Sequence, residues 1–147
     1  MKFSHVSMVA RDADGLAEFY KRIFGCEDRR PRKTMSGEKA SRGNGLPNAE
    51  IYSAWLTLPG VDGPFLEILE YNNTHDRPTP LVNEPGYGHI SFEVENIQTT
   101  FAAVVRAGGK PLGEITDFGT ADTPSLVVYM RDPEGNVVEL EQRSGEI

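Results

Sequence analysis

The sequence predicts an α+β fold built from two tandem βαβββ modules. Three observations predict this class: a strand–helix segment that occurs twice, strand-like runs after each copy, and an aperiodic segment with three prolines between the copies. A chain of 147 residues has the length of one compact domain. We expect a single domain, residues 1–147, made of module 1 (1–71), a linker (72–85), module 2 (86–142) and a short tail (143–147).

The repeated segment is FSHVSMVARDADGLAEFYKRIFG at residues 3–25 and YGHISFEVENIQTTFAAVVRAGG at residues 87–109. In both copies a histidine is followed two residues later by a serine, and a glycine closes the segment 20 residues after the histidine. His5 and His89 are therefore expected to be equivalent positions of a duplicated unit.

Each copy continues from its strand into an amphipathic helix. Apolar residues recur three or four positions apart, which places them on one face of a helix. We expect Asp12 or Asp14 and Asn96 to cap the N-termini, and glycines to end both helices. The apolar faces consist of Leu16, Phe19, Tyr20, Ile23 and Phe24 in module 1 and of Ile97, Phe101, Val104 and Val105 in module 2.

Strand-like runs follow each helix, and the turn sequences LPGVDGP and DPEGN have Pro and Gly where tight turns need them. The last runs, FLEILEY and VVELEQR, place Glu67 and Glu139 at equivalent positions. Each half therefore has the order β-α-β-β-β. The expected strands are Glu27–Lys33, Glu50–Leu58 and Pro64–Tyr71 in module 1, and Lys110–Phe118, Ser125–Arg131 and Asn136–Gln142 in module 2.

The charge of the chain is unevenly distributed. It has 15 basic and 22 acidic side chains, a formal net charge of −7. Residues 1–80 have 11 of each sign, whereas residues 81–147 have 4 basic and 11 acidic side chains. An acidic protein of this kind is not a general binder of nucleic acids or membrane surfaces. We expect a small-molecule substrate and neither a nucleic-acid nor a membrane partner.

One basic segment, residues 29–42, interrupts this pattern. It is rich in Gly, Ser and Pro, so we predict a mobile loop with a short edge strand at its start. The alternatives for its role are a solvated loop, or a lid or rim that attracts an anionic substrate. The segment contains Arg29, Arg30, Arg32, Lys33, Lys39 and Arg42 against one acid, Glu38.

The single cysteine, Cys26, excludes an intrachain disulfide framework and a cysteine-based zinc finger. It follows the glycine that ends the first helix, and we expect it to be a small packed residue. The first residues are too polar for a signal peptide, and no apolar run of about 18 residues occurs. We therefore expect a soluble, cytoplasmic protein.

Two histidines and two glutamates are the candidate site residues. In GHISFEV, apolar residues alternate with polar ones, so His89 faces away from the helix, and the repeat gives His5 the same position. Glu67 and Glu139 lie between apolar neighbours in the closing strands, where an unpaired buried carboxylate would be costly. Two imidazoles and two carboxylates on one concave face are a suitable donor set for a divalent transition metal.

Each of these side chains also has a structural alternative. A strand histidine is often an ordinary hydrogen-bonded residue, and a carboxylate in a strand usually faces solvent. Glu70 competes with Glu67 as the ligand in module 1, but strand parity places it on the opposite face. We expect His75, in the linker, to be a surface residue. The aromatic side chains that either line a pocket or pack in the core or an interface are Tyr52, Trp55 and Tyr129.

Taken together, HVSMVARDADGLAEFYKRIFG, FLEILEYN, GYGHISFEVENI and RDPEGNVVELEQ resemble the glyoxalase/bleomycin-resistance/extradiol dioxygenase superfamily, which has the vicinal oxygen chelate fold. The resemblance covers nearly the whole chain and is nearest in pattern to glyoxalase I-like proteins. It implies paired βαβββ modules that form an incomplete barrel around a metal, commonly in a homodimer. The metal positions that it implies are His5, Glu67, His89 and Glu139.

The resemblance also implies a divalent transition metal as cofactor, namely Zn, Ni, Co, Mn or Fe(II), and a small-molecule substrate. Our leading hypothesis is lyase or isomerase chemistry similar to that of glyoxalase I or methylmalonyl-CoA epimerase, in which a proton moves next to a carbonyl. Glu139 is the first candidate for the base and Glu67 the second, since a carboxylate that loosens from the metal can accept a proton.

Two other functions within the superfamily stay open as hypotheses. An Fe(II) extradiol dioxygenase would use His5, His89 and Glu139 as a facial triad, with Glu67 off the metal and Tyr129 as a candidate acid or base. An antibiotic-resistance protein would either bind its drug without a metal tetrad, as bleomycin-resistance proteins do, or transfer a thiol or water to fosfomycin at a metal site.

Overall fold

The computed structural model of the chain describes residues 1–144, and the end of the predicted tail, residues 145–147, lies outside the described residues. The chain divides into two compact units, Met1–Asp76 and Arg77–Ile147. Each unit is a βαβββ module with an open five-stranded sheet, in which the strand after the first helix is broken into two short pieces. The predicted α+β class with two such modules is confirmed.

The first unit contains two helices and five strands: β1 His5–Val9, α1 Ala13–Phe24, β2 Glu27–Asp28, β3 Lys33–Met35, α2 Glu38–Asn44, β4 Ile51–Thr57 and β5 Phe65–Tyr71. Its sheet has the strand order β1-β5-β4-β2, with β3 also paired to β4. β1 runs parallel to β5, and the other pairs are antiparallel. The parallel register places His5 opposite Phe65 and Ser7 opposite Glu67.

The second unit contains, within its described residues, one helix and five strands: β6 Ile90–Glu93, α3 Ile97–Arg106, β7 Lys110–Pro111, β8 Thr116–Asp117, β9 Ser125–Arg131 and β10 Val137–Arg143. Its sheet has the order β6-β10-β9-β7, with β8 also paired to β9. β6 runs parallel to β10, and the other pairs are antiparallel. Glu139 lies between Ser91 on one neighbouring strand and Tyr129 on the other. Both units therefore have the same topology.

In each unit the apolar face of the long helix packs on one face of the sheet, because this arrangement removes both apolar surfaces from water. The remaining strand residues alternate with the buried ones and lie on the other face. No helix in residues 1–144 is long and apolar enough to cross a membrane. The fully buried side chains include Leu16, Tyr20, Leu66 and Ile68 in the first unit and Ile97, Val104, Val138 and Leu140 in the second.

The ends of the two long helices lie close to the residues that the sequence indicates. Asp12, rather than Asp14, caps α1, because its side chain accepts a hydrogen bond of 2.9 Å from a backbone N–H of the first turn. Asn96 caps α3 with an equivalent bond of 2.8 Å. Gly25 ends α1 in the left-handed conformation with φ 72°, which side chains disfavour. α3 ends at Ala107, just before its predicted glycine stop.

The N-termini of the two long helices are attached to their sheets in the same way. Glu70 Oε2 accepts a hydrogen bond of 2.9 Å from the backbone N–H of Ala13 at the start of α1. Gln142 Oε1 accepts one of 2.8 Å from the backbone N–H of Ile97 at the start of α3. Each acceptor lies three residues after the candidate glutamate of its module. The repeat seen in the sequence therefore extends to individual contacts.

The strands that follow α1 and α3 are shorter than predicted. The predicted strand Glu27–Lys33 corresponds to β2 and β3, and Lys110–Phe118 corresponds to β7 and β8. Pro31 interrupts the first of these segments and Pro111 ends β7, because proline has no backbone N–H to donate to a neighbouring strand. Each of these two predicted strands therefore exists as two short pieces.

The helix α2 lies in a segment predicted as a loop. None of its residues is buried, so it has no apolar periodicity from which a helix could be predicted. It is bounded by Gly37 with φ 90° and by Gly45 with φ 78°. The prediction of a loop across residues 37–44 is therefore wrong, because hydrogen bonds of the backbone form this helix without an amphipathic pattern.

Cys26 is a packed residue, as predicted. The side chain is free and only 3% of the residue is exposed. Burial raises the pKa of the thiol to about 11. Cys26 is therefore protonated at neutral pH and is not an activated nucleophile.

Candidate metal centre

The first candidate pair, His5 and Glu67, lies on the sheet face opposite α1. His5 begins β1, and Glu67 lies in the middle of β5, its parallel neighbour. The distance between His5 Nε2 and Glu67 Oε2 is 3.5 Å, and the two side chains are 38% and 13% exposed. The second nitrogen of the His5 ring, Nδ1, lies 3.0 Å from Ser4 Oγ. A contact at the second nitrogen is the kind that orients a metal-binding imidazole.

Two aromatic rings lie beside the first pair. Phe65 stacks on the ring of His5 with the centroids 4.9 Å apart, and Trp55 lies 4.5 Å from Phe65. Trp55 Nε1 donates a hydrogen bond of 2.9 Å to Glu67 Oε1. One carboxylate oxygen of Glu67 is therefore held by the indole, while the other faces the imidazole.

The second candidate pair, His89 and Glu139, has the equivalent place in module 2. His89 directly precedes β6, and Glu139 lies in β10, the parallel neighbour of β6. The distance between His89 Nε2 and Glu139 Oε2 is 2.8 Å, and the side chains are 33% and 13% exposed. Tyr129, which lies opposite Glu139 on β9, has its ring centroid 4.9 Å from that of His89. An aromatic ring therefore lies beside the histidine in both modules.

The carboxylates of module 2 have opposite electrostatic surroundings. Burial raises the pKa of Glu139; His89 opposes this shift, and Glu141 adds to it. The pKa of Glu141 is lowered, because Ser91 Oγ donates a hydrogen bond of 2.7 Å to it and Arg143 pairs with it. Glu139 is therefore the carboxylate of this sheet face that benefits more from a bound cation or proton.

The structure brings together each pair of candidate residues within its own unit. In residues 1–144, no group of three or more His, Cys, Asp or Glu side chains is placed so that it could hold a metal ion. The four predicted residues are therefore present as two imidazole–carboxylate pairs, His5–Glu67 and His89–Glu139.

The donor chemistry of both pairs fits a divalent transition metal. Imidazole nitrogens and carboxylate oxygens are ordinary ligands of Zn, Mn and Fe(II). In each pair Nε2 of the histidine faces Oε2 of the glutamate, and the carboxylate is largely shielded from solvent. A carboxylate in such a place is stabilised by a cation.

Three residues considered from the sequence lie away from the pairs. Glu70 binds the start of α1, so it is on the helix side of the sheet, as strand parity predicts. Tyr52 is also on that side, because its hydroxyl donates a hydrogen bond of 2.8 Å to Asp14 in α1. His75 is exposed, as predicted.

Arg32 of the basic segment has a structural role. Its guanidinium binds Asp14 and Glu18 of α1 and Asp28 of β2. Burial opposes the charge of Arg32, but the three carboxylates outweigh this effect and raise its pKa. Hydrogen bonds from Arg32 lower the pKa of Asp14 and that of Glu18. The pKa of Asp28 is also lowered, mainly by a hydrogen bond from Lys21 and to a smaller extent by one from Arg32. The interpretation of residues 29–42 as one mobile charged loop is therefore wrong for this residue.

We expect Arg32→Gln to lower the free energy of unfolding by about 1 kcal/mol at neutral pH, since solvent weakens pairs with carboxylates that are more than half exposed, such as Asp14 and Glu18. The folded-state pKa values of the three carboxylates are depressed, so their contribution is present above the unfolded-state values near pH 4 and is lost as the pH falls through the folded-state values. The difference between wild type and variant should therefore shrink as the pH falls below the unfolded-state values.

Urea unfolding at neutral and acid pH measures this difference. Arg42→Gln is the matched control, because Arg42 pairs with Glu38 across the exposed surface of α2, where such a pair contributes little. A difference between wild type and Arg32→Gln that does not change with pH would contradict the role of the carboxylates.

The sequence did not reveal the contacts that Trp55, Arg29 and Arg30 make around the first pair. Arg29 lies over the ring of Phe65, and Arg30 lies over the ring of Trp55. Strand alternation places Trp55 on the same face as Glu67, which is the only signal in the sequence for the hydrogen bond between them. Nothing in the spacing distinguishes these two arginines from the other basic residues of the segment.

Comparison with known proteins gives a family match and many similar solved structures. The family model described as the Glyoxalase/Bleomycin resistance protein/Dioxygenase superfamily matches residues 2–140. A search of curated proteins gives no match. A glyoxalase family protein from Bacillus cereus is 24% identical with a TM-score of 0.87, over 99% of this chain and 95% of that chain.

Two further solved structures have named activities. A single-residue variant of glyoxalase I from Zea mays is 17% identical with a TM-score of 0.67, over 98% of this chain and 46% of that chain. The other is a variant of the genomically encoded fosfomycin resistance protein FosX from Listeria monocytogenes, in complex with Mn(II) and a dihydroxypropylphosphonic acid. It is 17% identical with a TM-score of 0.57, over 97% of this chain and 93% of that chain. At these identities the similarity shows the fold alone.

Proposed function

Because the chain belongs to the Glyoxalase/Bleomycin resistance protein/Dioxygenase superfamily, we propose that it is a divalent-metal-dependent enzyme that moves a proton next to a substrate carbonyl, by lyase or isomerase chemistry. The observation that carries this proposal is the recurrence of one contact in both modules, His5 with Glu67 and His89 with Glu139. Chance alone does not explain the same pairing of side chains at equivalent positions of two sheets.

The four side chains of the two pairs are the proposed metal ligands. They supply two imidazole nitrogens and two carboxylate groups, a set that suits Zn, Ni, Co, Mn or Fe(II). The FosX structure with the same fold is a complex with Mn(II), which supports a divalent ion for this chain. When bound, the metal would act as a Lewis acid that polarises a substrate carbonyl oxygen.

Glu139 is the proposed base, and Glu67 is the second candidate. The surroundings of Glu139 suit a proton acceptor, because burial raises its pKa and Tyr129 lies directly across the ladder from it. Glu67 is less suited, because its Oε1 already accepts a hydrogen bond of 2.9 Å from Trp55 Nε1. We assign proton transfer to a carboxylate oxygen of Glu139 and a holding role to Glu67.

Metal analysis followed by activity assays tests this proposal. We expect the protein to retain a divalent ion after dialysis against a mixture of divalent metals, since imidazole and carboxylate groups are ordinary ligands of such ions. The metal-loaded protein should then isomerise a hemithioacetal or epimerise a methylmalonyl-type thioester, whose mobile proton lies next to the thioester carbonyl. Protein that binds no metal, or that binds it and turns over neither type of substrate, would contradict the proposal.

One contact favours a second candidate function, an Fe(II) extradiol dioxygenase. Trp55 already holds Glu67, which would leave His5, His89 and Glu139 as a facial triad. Oxygen consumption with a catechol after anaerobic loading with Fe(II) discriminates this function from the first.

Release of a thiol or water adduct of fosfomycin by the metal-loaded protein would instead identify an antibiotic-resistance enzyme.

We also propose that the chain forms a homodimer in the cytoplasm. Phe3, Tyr87 and Phe118 are large apolar side chains that are mostly exposed, and a second copy would cover such surface. The buried thiol of Cys26, with no second cysteine, suits a reducing compartment.

A further inference from the structure

The guanidinium of Arg30 lies over the indole of Trp55, beside the first candidate pair. Arg30 Cζ is 3.7 Å from the centroid of the Trp55 ring. The same indole donates its Nε1–H to Glu67. One aromatic ring therefore contacts the arginine through its face and the candidate ligand through its edge, which places a cation next to the pair.

Most hydrogen-bond donors of this guanidinium have no partner among the described residues. An arginine has five N–H donors, and within residues 1–144 the guanidinium of Arg30 donates one hydrogen bond, from Nη2 to Ser53 Oγ at 3.0 Å. Ser53 is fully buried and donates in turn to the carbonyl oxygen of Lys33. Arg30 Nε is buried and has no partner in that described part of the chain. Buried donors normally find acceptors, so this donor is able to take one from outside the described residues.

Arg30 also has no carboxylate partner among the described residues, unlike Arg32 and Arg42. None of the ion pairs formed by the described residues involves Arg30. Arg32 has three carboxylate partners, and Arg42 has one. Arg29 donates a hydrogen bond of 2.6 Å to the carbonyl oxygen of Gly63. Arg29 and Arg30 both lack an anion among residues 1–144, and Arg30 differs in that its buried Nε also lacks an acceptor there.

Module 2 has no equivalent of this cation in its described residues. The backbone N–H of Arg29 donates to Trp55 O, and the N–H groups of Leu112 and Gly113 donate to Tyr129 O. Trp55 and Tyr129 lie opposite the candidate glutamates of their modules, so residues 112–114 correspond to the segment around Arg30. That segment has the sequence Leu-Gly-Glu and carries no positive charge. The duplicated fold is thus made asymmetric at this point.

We propose that Arg30 binds an oxyanion group of the substrate, a carboxylate or a phosphoryl-type group, next to His5 and Glu67. The planar guanidinium presents paired donors that match two oxygens of such a group. The Nε–H of Arg30 is buried, so an oxyanion can bind to it only if the guanidinium moves relative to the indole of Trp55. The inference rests on the proposed function for its place in a reaction, but the binding of the anion itself needs no metal.

The fluorescence of Trp55 measures this binding directly, because Trp55 is the only tryptophan of the chain. The full metal-free chain is titrated with inorganic phosphate and separately with acetate, and sodium chloride at the same ionic strength is the reference. We expect a saturable change in emission with phosphate or acetate that chloride does not produce. The anion that binds more tightly identifies the substrate group as phosphoryl-type or carboxylate.

Variants assign the response to a residue. Arg30→Gln should raise the apparent Kd by at least about tenfold, since a charge-assisted hydrogen bond is lost. Arg30→Lys keeps the charge but loses the planar fork, and we expect it to weaken binding as well. Arg42→Gln, on the exposed surface of α2, should titrate like the wild type. Far-UV circular dichroism confirms that each variant is folded.

Three results would overturn the inference: no specific response to either anion, an unchanged Kd in Arg30→Gln and Arg30→Lys, or an equal loss in Arg29→Gln. The last would mean that the general positive potential, rather than Arg30, attracts the anion. Metal binding is measured on the same Arg30→Gln protein and should be unchanged. A chain that binds phosphate through Arg30 but no metal would refute the proposed function alone.

Discussion

Substituting alanine for His89 will weaken the binding of a divalent transition metal by at least about 100-fold, because the loss of a partner outside the ligand set already costs about 10–100-fold. The reason is that His89 Nε2, 2.8 Å from Glu139 Oε2, supplies one of the two imidazole nitrogens of the proposed site. His5→Ala should have an effect of the same size, since His5 has the equivalent position next to Glu67. Isothermal titration with Co²⁺ or Zn²⁺ measures both affinities.

The third histidine of the chain provides a matched control. His75 is exposed and takes part in neither pair, so His75→Ala should bind metal as the wild type does. If His89→Ala and His75→Ala have equal affinities, His89 is not a ligand. If His89→Ala loses the metal and His5→Ala keeps it, the metal belongs to module 2 alone and the assignment of His5 as a ligand is wrong.

The second large effect concerns turnover. Glu139→Gln should lower kcat by about 10²–10⁴-fold at saturating metal, because glutamine cannot accept a proton as a general base does. Glutamine has nearly the same shape as glutamate and keeps one oxygen donor, so part of the metal affinity should remain. The rate is expressed per bound metal ion, with the substrate that the wild-type assays identify. This separates the proton-transfer role from the loss of a ligand.

Two other glutamates test the specificity of this result. Glu93 is exposed on β6 of the same module, and Glu93→Gln should leave kcat close to the wild-type value. Glu67→Gln should lower the metal affinity more than kcat per bound ion, because we assign Glu67 a holding role. A larger drop in kcat for Glu67→Gln than for Glu139→Gln would transfer the role of the base to Glu67.

The elements of this fold follow largely from local patterns. The spacing of apolar residues and the caps Asp12 and Asn96 predict α1 and α3, because these signals act within one or two helical turns. The helix α2 has no buried face, so its sequence shows no apolar periodicity. The short strands of the proline-interrupted segments, β2, β3, β7 and β8, have at most three residues, which is too few for an alternating pattern.

Strand alternation and the internal repeat also bring each histidine close to the glutamate of its own module. Both are short-range regularities of the sequence: alternate residues of a strand share a face, and a duplicated segment repeats its positions. They are sufficient to select His5, Glu67, His89 and Glu139 and to separate Glu67 from Glu70, whose carboxylate binds the start of α1 instead.

The partners of the basic residues follow from the packing of distant segments instead. Arg32 and Arg30 are two positions apart in a segment with uniform composition, yet one binds carboxylates of α1 and β2 and the other lies on Trp55 of β4. Long side chains reach residues that become neighbours only when the helix and strands pack, and local spacing does not encode those neighbours. The chain therefore encodes its elements and its candidate ligands through short-range patterns, whereas packing decides which groups the basic side chains contact.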